Sequence, residues 1–430
     1  MGLKINLAIS VLLIATFLLL LYPFLYNFLF QVPQKEVIVV GLDGGDYETV
    51  KSLIDQSKVP NLRKIILEGT FALYRSNPDV DSYSAWTSIA ACNETSLWET
   101  LKEKNASFGT LYWPNVADAG LFKVPDKFEY KKEMPEDIYD SKALLIFKNG
   151  VTEFFRKAYW VIKIMFPQNK NEKDLVYEFY SLDRSAREFF YLREKFKPEI
   201  SFLVLSSPFR IEQYFWMYSH PERFNSYVTE KEKERYGKMI DNYYIELDDF
   251  LGKLDKSNKT VIIISNRGVK DNYPPKIVDK INVNKILKGM GLLEFDYKDD
   301  IDFSKTKTYT LDEGLDQNLK IFITGENSDE IKKELKSAFD DSKSIPSNQK
   351  IFTVEDFDNG IILKRNISLI IEDERFSISN KTYDFKDLIL RRTISAIPEE
   401  NGFLAINKKV KLPDGMASED FCKVLLNLIS

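Results

Sequence analysis

Histidine is almost missing from this chain: among 430 residues there is one, His220. Imidazole is the usual ligand of catalytic zinc and the usual general base near neutral pH. A hydrolase built on several histidine ligands is therefore excluded. Cysteine is nearly as scarce, with only Cys92 and Cys422, which rules out a disulfide-stapled secreted scaffold. The two can pair, but isolated cysteines are more often buried thiols, and that is the expectation here. An excess of positive charge is absent too. Lysine plus arginine number 60 against 65 acids, a net charge of −5, and the charges are interspersed. No basic face for displacing counterions from nucleic acid is implied. The signature of disorder is also lacking, since 44% hydrophobic and 13% aromatic residues can fill a sizeable core.

What is present begins with one long apolar run. Residues 5–30, INLAISVLLIATFLLLLYPFLYNFLF, carry no charge and exceed the roughly 20 residues a helix needs to cross a bilayer. Tyr22 and Tyr26 sit toward one end, where aromatic rings favour the membrane interface, and Pro23 would kink the last turns. No small-residue cleavage site precedes Gln31, so the run reads as an uncleaved transmembrane signal anchor and not as a secretory leader. Lys4 lies before it, while Lys35 behind it is balanced by Glu36. The positive-inside rule then makes residues 1–4 a cytoplasmic tail and places the main domain of a single-pass protein on the exported side.

Beyond the anchor, short β-branched runs alternate with helical patterns. EVIVVGL (36–42), ISFLVLS (200–206) and VIIIS (261–265) have the continuous apolar character of strands buried on both faces. Helical spacing appears over 47–57, to Glu68 with Gly69 as its C-cap, from Ser84 to Ala91, and over 174–196, 236–254, 281–291 and 419–429. Phe71–Arg75, 107–113 and 403–406 are further candidate strands. Strands separated by helices predict an α/β fold with a mostly parallel sheet. The stretch 143–166 is aromatic but charged every few residues, so a second membrane span is not expected.

Several segments in order, EVIVVGLDGGD (36–46), VPNLRKIILEG (59–69), SAWTSIAA (84–91), FGTLYWPN (108–115), FRIEQYFWMY (209–218), VIIISNRG (261–268) and NGFLAI (401–406), resemble the alkaline phosphatase superfamily, type I phosphodiesterase/nucleotide pyrophosphatase branch. The resemblance runs over nearly all of 36–430 and implies an alkaline-phosphatase-like sandwich with a mostly parallel central sheet flanked by helices and a helical insertion around 130–200. It also implies two metal ions, usually zinc, held by aspartates and histidines beside a Thr or Ser nucleophile. Metals there offset the charge on the transferring group and lower the nucleophile's pKa.

Carried over position by position, the resemblance makes Asp43 the first metal aspartate and Ser82 the candidate nucleophile. The remaining ligands depart from the pattern. Phe209 and Gln213 stand where Asp-Arg-x-x-His supplies two ligands, Asn266-Arg267-Gly268 replaces Asp-His-Gly, and Pro398 stands near the last histidine. Asp43 and Asn266 are then vestigial metal positions. Arg267 places a permanent cation at a ligand position, and with Arg210 it suggests an anion-binding crevice; the alternative is an ion pair with Asp43 or Glu212. His220, before Pro221, reads as a surface or cap residue. These departures imply a membrane-anchored, catalytically degenerate phosphodiesterase-like protein without a metal cofactor. It would act as a binding or assembly module at the membrane surface for a protein, glycan or phosphorylated ligand. The alternative is an active hydrolase or phospho-group transferase using Asp43 and Ser82, with zinc or another divalent metal.

Overall fold

The computed structural model describes residues 36–92, 95–114, 116, 120–124, 170–254, 259–295, 305–310, 318–323, 327–345, 347–357, 360–365, 375–379, 381–384 and 388–429. The apolar run 5–30, read as an anchor, and the stretch 143–166 lie outside these residues, as does the first part of the expected insertion around 130–200. Among the described residues no helix is long and apolar enough to cross a membrane.

The first strand, β1 (Val37–Leu42), is buried at every position. Helices α1 (Tyr47–Asp55) and α2 (Pro60–Glu68) follow, then β2 (Thr70–Arg75), α3 (Ser82–Ile89), α4 (Leu97–Glu103), β3 (Phe108–Leu111) and β4 (Phe122–Val124). The long α5 (Lys170–Phe196) leads to β5 (Ile200–Leu205), α6 (Ser207–Ser219), α7 (Met239–Lys253) and β6 (Thr260–Ser265). In register, β1 lies between β5 and β6, with Val37 beside both Ile200 and Thr260, and both pairings are parallel. Uninterrupted Val/Ile/Leu runs are what such strands require, because each face is covered by other elements.

The next segments are β7 (Gly268–Ile281), α8 (Val283–Met290), β8 (Thr308–Tyr309), β9 (Asn318–Ile323), α9 (Ser328–Asp340), β10 (Phe352–Phe357), β11 (Gly360–Arg365), β12 (Ile389–Glu399), β13 (Asn401–Ile406) and α10 (Phe421–Ile429). The main sheet has the order β2-β13-β6-β1-β5-β3-β4. Only β13 runs antiparallel, to both β2 and β6. One face carries Ile38, Val40 and Leu42 against α1, α2, α5, α6 and α7. The other carries Val37 and Val39 against α3, α4 and α10 and a cluster of Trp86, Trp98 and Trp113.

One sequence expectation holds and one changes here. Gly69 caps α2, with φ −102°. Glycine is needed because a Cβ would lie 1.8 Å from the Ile406 carbonyl oxygen. The cysteines are not buried thiols: Cys92 and Cys422 form a disulfide, Cα–Cα 5.5 Å, that ties the segment after α3 to the last helix across 330 residues.

A third hydrophobic core, with Leu287, Ile321, Leu335, Phe339, Phe352 and Phe376, closes a second lobe within residues 283–388. It hangs on the ribbon that β7 and β12 form, paired from Gly268–Glu399 to Ile281–Ile389. The four strands β8-β9-β11-β10 are its main sheet. The reading of 36–430 as a single body does not anticipate this lobe, because its strands are short and mix charge with apolar residues.

A crosslink closing so long a loop restricts the unfolded chain more than the folded one. Replacing both cysteines by serine should lower stability by about 2–4 kcal/mol, measured by chemical denaturation of the full chain. Reductant should shift the parent's midpoint and leave the variant's unchanged.

Candidate functional site

The site lies at the carboxyl ends of the central parallel strands, where an open α/β sheet leaves a crevice. Asp43 follows β1 directly. Its amide donates to Leu205 O (2.8 Å), and its carbonyl accepts from the Phe209 amide (2.8 Å). The Asn266 amide donates to Leu42 O (3.1 Å). The three strand ends are thereby stitched together, which brings residues 43, 209 and 266 to one place from distant parts of the chain. Gly44 turns the chain away with φ +74°, and a Cβ there would meet Phe209 at 2.8 Å. Only glycine accepts both conditions. On the opposite wall, Asp81 caps α3 by accepting from the Ser84 amide (2.9 Å), which makes Ser82 the first helical residue.

Four residues singled out in the sequence converge. Ser82 Oγ lies 2.7 and 2.8 Å from the two Asp43 carboxylate oxygens and donates its proton to them. Asn266 Nδ2 donates to Asp43 Oδ1 (2.7 Å), while Asn266 Oδ1 accepts from the Gly44 amide (2.8 Å). Arg267 lies 3.6 Å from Asp43 Oδ1 and donates to Ser82 Oγ and to the Val80 carbonyl. Its guanidinium stacks on Phe209 with 4.7 Å to the ring centroid. Only 5% of the Arg267 side chain and 11% of the Asp43 side chain remain exposed. Arg267 Nε is buried with no hydrogen-bond partner.

Arg210 goes elsewhere. It is held by Glu178 of α5, at 2.5 and 2.8 Å, and by Ser206 (3.1 Å). The expected pairing of Arg210 with Arg267 around an anion thus meets a carboxylate already seated on Arg210. Of the two ion-pair partners foreseen for Arg267, the structure selects Asp43. Glu212 faces the backbone instead, accepting from the amides of Gly45 (3.2 Å) and Asp46 (3.0 Å) and from Tyr244 Oη (2.6 Å). Burial, and then the nearby Asp46 charge, push the Glu212 carboxyl up to about 8. His220 caps the end of α6, and its ring lies tilted beside Trp216 with 4.1 Å between centroids.

Sequence reasoning missed two contributors. Phe209 appeared only as a residue unable to coordinate; its ring is the platform for the cation. Lys320, from β9 of the second lobe, reaches Asp81 (3.4 Å) and lies 4.5 Å over the Tyr83 ring, so that lobe touches the serine helix. Burial alone would raise the Asp81 carboxyl, but the Ser84 amide and Lys320 more than offset it and hold it below the ordinary range. No signal in the sequence links residue 320 to residue 81.

The donor set does not fit the two-metal centre that the resemblance implies. Asp43 is engaged by a hydroxyl, an amide and a guanidinium. Asn266 presents its N–H to Asp43 and spends its oxygen on Gly44. Arg267 brings a fixed positive charge, and Gln213, where the resemblance implies a ligand, has a buried side-chain nitrogen without a partner. Among the described residues no three His, Cys, Asp or Glu side chains gather as a metal would need. Chemically, the cluster is a polar network in which the serine hydroxyl, the carboxylate and the two terminal guanidinium nitrogens are engaged, while Arg267 Nε is left without a partner.

No family model matches the chain, and no curated protein does. Among solved structures it is similar to phosphonoacetate hydrolase from Sinorhizobium meliloti 1021, at 13% identity and TM-score 0.44 over 93% of this chain and 96% of that one. It is also similar to human ectonucleotide pyrophosphatase/phosphodiesterase 5, at 11% identity and TM-score 0.39 over 92% and 95% of the two chains. The murine counterpart gives 13% identity and TM-score 0.38 over the same shares.

Two outcomes test the network. Arg267→Met should destabilise the fold by about 3–5 kcal/mol, because it strands the buried Asp43 charge. Adding Asp43→Asn should recover part of that loss in a double-mutant cycle read by chemical denaturation. Glu212 gives a pH dependence. Its folded pKa of about 8 lies above the ordinary carboxyl value of 4.5, so its contribution is fully present below about pH 4.5 and is lost as pH rises through about 8. Thermal unfolding midpoints should therefore fall across that window, and Glu212→Gln should flatten the slope.

Proposed function

We propose that this protein is a membrane-anchored, catalytically degenerate phosphodiesterase-like protein that works as a binding or assembly module at a membrane surface. The observation that carries the reading is Arg267. A permanent cation, stacked on Phe209 and bonded to Ser82, stands at a position where the resemblance calls for a metal ligand, and it repels a divalent ion while closing over the serine. The Cys92–Cys422 disulfide supports an exported body, since such bonds persist in oxidising compartments. The uncharged run 5–30 supports a single anchor with residues 1–4 in the cytoplasm. A protein, glycan or phosphorylated ligand is the partner class; nothing in the composition favours nucleic acid.

One observation favours a second reading. Ser82 Oγ sits 2.7 Å from Asp43 Oδ1, so the carboxylate is placed to take the hydroxyl proton. An altered site of Asp43, Ser82 and Asn266 would then act as a phosphate-ester hydrolase or transferase, with one divalent ion or none.

The deciding experiment is metal analysis of the full chain in detergent together with turnover of a generic phosphodiester, with and without added zinc. The degenerate reading expects no stoichiometric metal and no turnover that Ser82→Ala abolishes. Stoichiometric zinc, with activity lost in Ser82→Ala, overturns it in favour of the second reading.

A further inference from the structure

The body has two ends, and the chain enters at the one opposite the crevice. Glu36 precedes β1, while Asp43 and the Arg267 network sit at the far end of the same strand. Only five residues, 31–35, separate the last apolar residue, Phe30, from Glu36. Fully extended they span at most about 18 Å. An anchor at 5–30 therefore holds the amino ends of the strands close to the lipid headgroups and turns the crevice away from them.

That near end is rich in exposed lysine. Lys104 closes α4 just before β3, Lys195 lies in the last turn of α5, and Lys197 follows that helix before β5. Lys408, Lys409 and Lys411 follow β13, whose last residue, Ile406, is level with Thr70 at the start of β2. The 407–410 turn is fastened at this same end: Asn407 N donates to Val261 O (3.0 Å), Thr70 Oγ1 donates to Lys408 O (2.8 Å) and Val410 N donates to Thr70 Oγ1 (2.7 Å). All six lysines are exposed. Against them, three exposed glutamates, Glu68, Glu103 and Glu194, stand at this end among the described residues. The other two acids here are turned inward. Glu36 is bound by Arg193 and Lys259, and Glu199 by the Ser107 amide and hydroxyl. Leu67, 56% exposed at the end of α2, adds an apolar contact on the same side.

We infer that this lysine-bearing end docks on anionic lipid headgroups, so that the body lies on the membrane through its strand amino ends and presents the crevice outward. The inference rests on the anchor reading above. Its partner is the membrane surface itself: ammonium groups on flexible stems suit a field of phosphates without fixed geometry, and the short connection keeps them within reach.

The test uses the full chain inserted into preformed vesicles of phosphatidylcholine alone or with about one quarter phosphatidylglycerol, a content that gives a negative surface potential. A membrane-impermeant amine-acylating reagent is applied, and labelling is read lysine by lysine by mass spectrometry. Only the neutral amine reacts, and an anionic surface favours the ammonium form. Labelling of Lys104, Lys195, Lys197, Lys408, Lys409 and Lys411 should slow about threefold or more in the anionic vesicles, and about 0.5 M salt should reverse the effect. Lys333, exposed on the second lobe, should label equally in both. Simple steric cover by lipid would be the same in the two vesicle types and would overturn the charge-based docking, as would protection no greater than that of Lys333. Alkaline carbonate separates the two claims. Retention with uniform labelling defeats the docking alone, whereas release from the vesicles defeats the anchor reading and the docking with it.

Discussion

The contact between the Arg267 guanidinium and the Asp43–Ser82 pair organises the carboxyl edge of the sheet. A guanidinium cannot shed its charge in a protein, and here almost none of it reaches solvent. Its surroundings are arranged to accept that charge: a carboxylate beside it, a hydroxyl and a carbonyl as acceptors, and an aromatic face below. Because Ser82 belongs to α3, Phe209 to α6 and Arg267 to the turn after β6, this one cation fixes how three elements meet. Removing it would leave the carboxylate without its countercharge, which is the costly half of any buried ion pair.

The loop that carries Asp43 is held as tightly from its other side. Backbone amides at residues 43 to 46 all find acceptors: Leu205 O for Asp43, Asn266 Oδ1 for Gly44, and the Glu212 carboxyl for Gly45 and Asp46. Such complete accounting is what burial demands of main-chain donors. Among the described residues no cation pairs with Glu212, and burial drives it toward the neutral form. The two sides of one loop thus use opposite devices, a fixed cation on Asp43 and a neutralised acid under Gly45.

The architecture separates these tasks in space. The β7–β12 ribbon and the second lobe stand at the network's end of the sheet, and Lys320 brings that lobe onto the serine helix. The opposite end holds the chain's entry at Glu36 and the exposed lysines. Under the proposed anchor at 5–30, the short connection 31–35 would set which end faces lipid and which faces outward.

Much of the main sheet was legible in the residues, because strands buried on both faces must be continuously apolar and those runs stand out at 36–42, 200–206 and 261–265. Asp43, Ser82, Asn266 and Arg267 were legible through their places in a family-like pattern, and the scarcity of histidine already spoke against a zinc hydrolase with several imidazole ligands. The second lobe was not legible, since its short strands mix charge with apolar residues, as in FTVEDF at 352–357, and periodicity cannot distinguish them from loop. The disulfide was not legible either, because 330 residues lie between its cysteines and only the packing of α10 brings them together. By itself the sequence determined that the chain has an uncharged apolar run, an α/β body and, at residue 267, an arginine where the resemblance implies a metal ligand. Only the tertiary structure decided which partners that cation takes: Arg210 goes to Glu178, Glu212 to backbone amides, and Arg267 to Asp43 and Ser82. The reason is physical. Composition states how many charges must be matched, but which charges match depends on distances of a few ångströms that exist only once the strands are in register.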